Sequence, residues 1–122
     1  MPIFVVQFHK AKNDHYDFRL ELDKVLKSWA LPKVPPTTKK QKRLAIQVPD
    51  HELSYAKFEG TIKEGYGKGK VKIWDTGEYD LIYRGKDKIE FELFGKKLQG
   101  KYVLINAKLG GEKNNWLFFK IE

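Results

Sequence analysis

Residues 7–21 read QFHKAKNDHYDFRLE, and this stretch holds His9 and His15, two of the three histidines in the chain. Asp17 and Arg19 follow His15 at intervals of two. On a β-strand, residues two apart share a face and lie roughly 6.5 to 7 Å from each other. His15, Asp17 and Arg19 would then project from one side in a row. Two imidazoles and a carboxylate are a common ligand set for a divalent ion with open positions, and zinc, manganese and iron all suit it. Arginine cannot ligate a cation. Its planar fork does suit the oxygens of a phosphate held beside one. Plain surface histidines on a polar face are the alternative, but they leave the coincidence of four such residues unexplained.

The elements that must position these residues are strands. Phe4, Val6 and Phe8 alternate with Gln7 and His9, and Tyr16, Phe18, Leu20 and Leu22 alternate with His15, Asp17, Arg19 and Glu21. Period 2 marks a strand with one buried face. The polar loop KAKND between the two runs predicts a hairpin, which would bring His9 to the His15–Asp17–Arg19 row. Further strands are expected at KSWALP, RLAIQV, GKVKIWD, EYDLIYR, KIEFELFG, KYVLINA and NWLFFKI. Turn signals separate them: Pro35-Pro36, Pro49-Asp50, Thr76-Gly77, Arg84-Gly85, Phe94-Gly95 and Gly110-Gly111. No window shows a helical period. Many short strands at close spacing imply an all-β chain, an antiparallel barrel or sandwich. No repeat or internal boundary divides it, so a single domain over residues 1–122 is expected.

Composition narrows the chemistry. The chain has no cysteine, which excludes disulfides, thiolate nucleophiles and cysteine-ligated zinc and fits a reducing cytoplasm. The start, MPIFVVQFH, lacks the basic and apolar regions of a signal peptide, and no apolar run is long enough to span a membrane. A cytoplasmic protein without a membrane partner is expected. Lysine and arginine number 24 against 16 acidic residues, a formal charge of +8. Such an excess favours a polyanionic partner, nucleic acid being the commonest, although solvated lysines serve solubility equally well.

Other residues carry weaker signals. His51 and Tyr55 lie four apart in PDHELSYAKFEG, where an irregular segment is expected. A histidine outside the metal set can donate to a phosphate in a transition state. An exposed turn histidine is the simpler reading of His51 alone. Lys33 and Arg43 sit at strand edges, from which a side chain reaches a groove mouth, though ordinary solvated charge explains them equally. Lys68, Lys70 and Lys72 form a basic ladder that either tracks a nucleic-acid backbone or protects an edge strand. The GYGKG stretch (65–69) lacks the GK[ST] and following helix of a phosphate loop and reads as a turn.

The segments QFHKAKNDHYDFRLE, SWALPK, RLAIQVPDH, YAKFEGTIKEGYGKGKVKIWDTGEY and WLFFKIE together resemble the 3′-phosphoesterase domain of bacterial DNA ligase D and its free-standing archaeal relatives. The spacings HxAxxxHYDFRLE and DHxxxYxxFEG carry the resemblance, which runs nearly the full length. It implies a compact antiparallel β-barrel with a curved active-site groove. It implies a manganese-type phosphoesterase of DNA break repair (non-homologous end joining) that removes a 3′-terminal ribonucleotide or 3′ phosphate and leaves a 3′-OH. Zinc or another divalent ion is also compatible. By motif position, His9, His15 and Asp17 would bind the metal. Arg19, Lys33, Arg43, His51 and Tyr55 would surround the phosphate, with Arg19, His51 and Tyr55 catalytic, and Gln7 would support from beside His9. The expected partners are DNA primer-template 3′ ends and a separate DNA ligase or polymerase. Two departures bear on the balance between ribonucleotide and phosphate removal. The chain begins almost at the first strand, where multidomain relatives carry extra residues, and it has Pro49 where relatives often have an acidic residue. Two rivals remain: a non-catalytic single-stranded nucleic-acid-binding β-barrel that stacks bases on aromatic side chains, and a metal-dependent small-molecule enzyme on a cupin-like barrel.

Overall fold

In a computed structural model that describes residues 1–65 and 68–122, the alternating segments become β1 (Ile3–Lys10) and β2 (His15–Leu22) of an antiparallel hairpin. The strands that follow are β3 (Val25–Leu31), β4 (Lys42–His51), β5 (Gly60–Ile62), β6 (Gly69–Arg84), β7 (Lys88–Phe94), β8 (Gln99–Asn106) and β9 (Asn115–Lys120). Short 3-10 turns occur at Leu53–Lys57 and Leu109–Gly111. The strands hydrogen-bond in the order β1-β2-β3-β4-β9-β8-β7-β6, and β6 returns to pair with β1. Eight antiparallel strands therefore close into a barrel, and β5 adds to the start of β6. Closure removes the unpaired edges that an open sheet would leave. Among the described residues no helix is long and apolar enough to cross a membrane.

One parity of each strand fills the barrel. Phe4, Val6, Phe18, Leu20, Trp29, Leu31, Phe91 and Phe118 belong to a single buried cluster. Phe18 is its hub, with ring centroids 4.6 Å from Phe118, 5.8 Å from Phe91 and 6.1 Å from Phe4. The opposite parity of β1 and β3 is also partly buried, because the Leu53–Lys57 turn covers it: Val5, Leu26 and Ala56 form a second, smaller cluster outside the barrel.

Two local readings are corrected. GKVKIWD and EYDLIYR, expected as two strands around a Thr76-Gly77 turn, are one sixteen-residue strand, β6. Gly77 is there for close approach: a Cβ on it would stand 2.3 Å from the Phe94 carbonyl oxygen. Thr76 donates its hydroxyl to the Phe4 carbonyl (2.9 Å) and ties β6 to β1. Pro49-Asp50, expected as a turn, lies inside β4, where the pairing with β3 shifts register. The tight turn between β2 and β3 has Asp23 and Lys24 at positive φ (57° and 66°), and Arg84 grips the Asp23 carboxylate at 2.7 and 2.5 Å. The GYGKG reading falls partly on residues 66 and 67, which lie outside the described residues.

Two tyrosines in the barrel carry a pH signature. Tyr79 and Tyr102 are both 0% exposed. Tyr79 donates to the Glu21 carbonyl (2.6 Å) and Tyr102 to the Pro36 carbonyl (2.9 Å). Burial pushes both phenols up from 10.0 to about 12. The folded chain thus favours the neutral phenol more than the unfolded chain does. That stabilisation is complete below about pH 10 and is lost as pH climbs from about 10 towards about 12. Alkaline titration followed by circular dichroism and tyrosinate absorbance should show unfolding and ionisation rising together in that window. Substituting Tyr102→Phe should shift unfolding to higher pH.

Candidate active site

The hairpin register sets the site. His9 pairs with His15, Gln7 with Asp17 and Val5 with Arg19 across β1 and β2, and Arg19 pairs with Ser28 of β3. Residues opposite each other on paired strands share a face, so all of these point outward while Phe8, Tyr16, Val6 and Phe18 take the other parity. The chemistry thus sits on the outer wall of the barrel, under the Leu53–Lys57 turn. His9 and Asp17 are each 7% exposed and Arg19 3%, so the wall is largely dry at this point.

The Asp17 carboxylate is the focus. Its Oδ2 lies 3.3 Å from His15 Nε2, 3.4 Å from Arg19 Nη2 and 3.9 Å from His9 Nδ1. The two imidazole rings are 4.8 Å apart between centroids. One ligand atom each from His9, His15 and Asp17 fall within 4.8 Å of one another, a group that can hold a metal ion. Two details fit that use. His9 Nε2 is buried without a hydrogen-bond partner, an arrangement that costs about 1–3 kcal/mol unless something fills it. His15 Nδ1 lies 3.0 Å from the Asn13 carbonyl. A proton on Nδ1 leaves the Nε2 lone pair facing Asp17, the orientation a backbone carbonyl commonly imposes on ligating histidines. Protonated Nε2 would instead donate to Asp17, a hydrogen bond that raises the His15 pKa, and burial opposes it.

Arg19 is held on every side. Its Nε donates to Gln7 Oε1 (2.7 Å) and its Nη1 to Ser28 Oγ (2.8 Å). Its guanidinium carbon lies 5.0 Å from the centre of the Tyr55 ring. Burial lowers its pKa and the Asp17 charge raises it, but a guanidinium remains charged throughout the physiological range. Gln7, 0% exposed, completes the frame: its Nε2 donates to the carbonyls of Tyr55 (2.9 Å) and Phe58 (3.2 Å).

His51 reaches this face through a β-bulge. Ser28 pairs with Val48 and Leu26 with His51, so β4 uses three steps where β3 uses two. Regular alternation would give the outer face to Asp50 and turn His51 away. The extra residue reverses that, as bulges do when they re-aim a side chain. Pro49 has no N–H to lose from the ladder, and Asp50 is anchored by Lys27 Nζ at 2.9 Å. The His51 ring then stacks on Tyr55 (4.4 Å), and Tyr55 on Phe58 (5.0 Å). Burial and the nearby Arg19 charge lower the His51 pKa, and burial raises that of Tyr55.

Gln7, His9, His15, Asp17, Arg19, His51 and Tyr55 are therefore brought together. Lys33 and Arg43 lie past the end of β3 and at the start of β4, on the His15 side of the sheet. Arg43 donates Nε to the Val34 carbonyl (2.6 Å), and among the described residues no hydrogen bond or ion pair links either cation to the group. Ser28 escapes sequence reasoning, and Phe58 enters it only as a letter of the DHxxxYxxFEG spacing, without a role. Ser28 reads as an ordinary outward polar residue of a strand, and nothing local says that its outward face is covered.

The eight-stranded antiparallel barrel thus carries on its outer wall a His-His-Asp cluster that could hold a metal ion, with a buried guanidinium 3.4 Å from its carboxylate. The chain belongs to the DNA ligase D 3′-phosphoesterase domain family, whose description matches residues 7–106. It is 46% identical over 123 residues to the multifunctional non-homologous end joining protein LigD of Pseudomonas aeruginosa, covering 96% of this chain and 15% of that protein. It is 44% identical over 124 residues to the LigD of Mycobacterium tuberculosis (98% and 16%) and 38% identical over 131 residues to that of Mycolicibacterium smegmatis (98% and 17%). The chain thus spans about a sixth of the length of these relatives.

The Gln7 frame gives a measurable expectation. Gln7→Ala leaves the buried Arg19 Nε without an acceptor and frees the Leu53–Lys57 turn from β1. Chemical denaturation should show a loss of about 1–3 kcal/mol. Hydrogen exchange should quicken at residues 53–58 while the barrel strands stay protected. A Gln7→Ala protein with unchanged stability and unchanged exchange there would show that this frame is dispensable.

Proposed function

We propose that this chain is a metal-dependent phosphoesterase acting on the 3′ ends of DNA in break repair, with residues 1–122 as its single 3′-phosphoesterase domain. It removes a 3′-terminal ribonucleotide or a 3′ phosphate and leaves a 3′-OH. The observation that carries this reading is the cluster of His9, His15 and Asp17 with the Arg19 guanidinium directly against it. Family membership supplies the phosphoesterase class, and the three-residue cluster supplies the means.

His9, His15 and Asp17 hold a divalent cation, manganese being the choice that the family resemblance favours and zinc equally suited to the donors. When bound, such an ion polarises a phosphate oxygen and makes water a better nucleophile. Arg19 fixes the phosphate and offsets charge that builds on its oxygens. Its rigid hold by Gln7 and Ser28 means that little reorganisation is needed at the moment of reaction. His51 stands beside Arg19, where its imidazole stabilises the developing charge or gives a proton to the leaving oxygen, with Tyr55 stacked on it. Lys33 and Arg43 reach the outer phosphate oxygens from the His15 end of the sheet. The rival reading as a base-stacking binding barrel loses its main support, since Phe18, Trp29, Phe91, Tyr102 and Phe118 are buried in the barrel.

Labelled primer-templates ending in one 3′ ribonucleotide or in a 3′ phosphate, incubated with manganese, zinc or EDTA, test the proposal. Conversion to a 3′-OH should require metal. His9→Ala and Asp17→Ala should abolish both conversion and metal binding by calorimetry. Arg19→Ala should lower turnover on the order of 10²–10³-fold with metal binding retained. Turnover that survives both ligand substitutions would sink the ligand assignment.

A further inference from the structure

We propose that a lysine-lined cleft beside the metal cluster binds the phosphodiester backbone of the DNA strand whose 3′ end is processed. The proposal rests on the reading of the substrate as a DNA end. The cleft, about 700 Å³, lies between the end of β1, the hairpin loop after it, β5 and the start of β6. Lys10, Lys12, Lys63, Lys68 and Lys70 line it, with Thr61. All five lysines are exposed, and among the described residues no acidic one joins the lining.

Three features mark it as a built surface rather than scattered solvated charge. First, Lys10 and Lys70 stand directly opposite each other on paired strands, with Thr61 opposite Lys70 on the other side. Like charges placed so are mutually destabilising unless an anion comes between them. Second, none of the five lysines forms an ion pair among the described residues, whereas Lys27, Lys88 and Lys101 pair with Asp50, Glu90 and Glu122. Third, Lys70 is not an edge residue in need of protection against aggregation, because β6 pairs with β1 and β5 on its two sides. β1 and β6 also approach closely here: a Cβ on Gly69 would stand 2.2 Å from the Lys10 carbonyl oxygen.

Continuity with the site selects the occupant. His9 precedes Lys10, and the pair His9–Val71 is the next rung of the ladder after Lys10–Lys70. One rung is roughly 3.3 Å along the strand. Lys10 and Lys70 take the opposite parity to His9 and Val71, so a strand whose terminal phosphate lies at Asp17 and Arg19 reaches them by passing around the hairpin loop at Lys12. Lysines act on phosphates as point charges, so the grip is independent of sequence and falls with salt.

The test is fluorescence anisotropy of the full chain with a primer-template in EDTA, across a salt series, which needs no hydrolysis. The triple variant Lys63→Ala, Lys68→Ala, Lys70→Ala should bind about tenfold to a hundredfold more weakly, and its log-affinity against log-salt slope should shrink by about 2 to 3. The triple glutamine variant, which keeps long polar side chains, should lose as much. Lys101→Ala, Lys113→Ala, Lys120→Ala, which removes equal charge elsewhere, should lose far less. In turnover with metal, the cleft variant should show a raised KM, an unchanged kcat and unchanged metal binding. Unchanged affinity and slope in a folded cleft variant would overturn the proposal. So would retained binding in the glutamine variant, or an equal loss in the control. DNA binding that depends on the cleft, in a chain that processes no end, would uphold the cleft and overturn the proposed function. End processing with binding indifferent to these lysines would do the reverse.

Discussion

A guanidinium removed from water must be neutralised and have its N–H groups accepted, and Arg19 makes that demand on its whole neighbourhood. Desolvation of such an ion costs several kcal/mol even after relaxation. Asp17 supplies the opposite charge, and Gln7 and Ser28 supply acceptors. Because these partners sit on β1, β2 and β3, meeting the demand aligns three strands. Because Gln7 passes its amide on to the carbonyls of Tyr55 and Phe58, it also seats the turn that carries Tyr55. Loss of Asp17 alone leaves the buried charge uncompensated, the situation that costs about 3–5 kcal/mol in other buried pairs.

Strand parity separates the two tasks of the chain. Along β2, Phe18 and Leu20 belong to the barrel interior while Asp17 and Arg19 belong to the outer wall. The same backbone therefore carries the core and the reactive cluster on alternate residues. A one-residue slip of the β1–β2 register would put charges inside the barrel and aromatic rings outside it. Hydrophobic burial thus enforces the pairing of His9 with His15, without any direct attraction between the two imidazoles being needed.

This division explains what could be read beforehand. The hairpin and the His15–Asp17–Arg19 row follow from period 2 alone; the count and spacing of strands give an antiparallel barrel or sandwich, and only the family resemblance chooses the barrel. His51 and Tyr55 came forward only through family resemblance, because the face His51 occupies depends on a bulge that no periodicity announces. β6 reads as two strands around Thr76-Gly77 because a glycine that admits the Phe94 carbonyl looks, in sequence, like one that makes a turn. Ser28 went unnoticed because an outward polar residue is ordinarily a solvated one. In each case the deciding fact was a contact with a distant segment.

The bulge in β4 has a consequence for how this wall tolerates change. Position 49 carries a residue with no N–H, so the ladder asks nothing of its chemistry. What the wall does require is that the extra residue stay bulged while the strand keeps its present length. If the same residues paired regularly, Asp50 would take the place opposite Leu26 and the imidazole would swing off the face of Arg19. Removing one of the two residues between Val48 and His51 would instead restore regular alternation with the histidine still opposite Leu26. A loss of one residue there and a flattening of the strand at full length, which look alike as ways of removing the bulge, would have opposite effects on the geometry around Arg19.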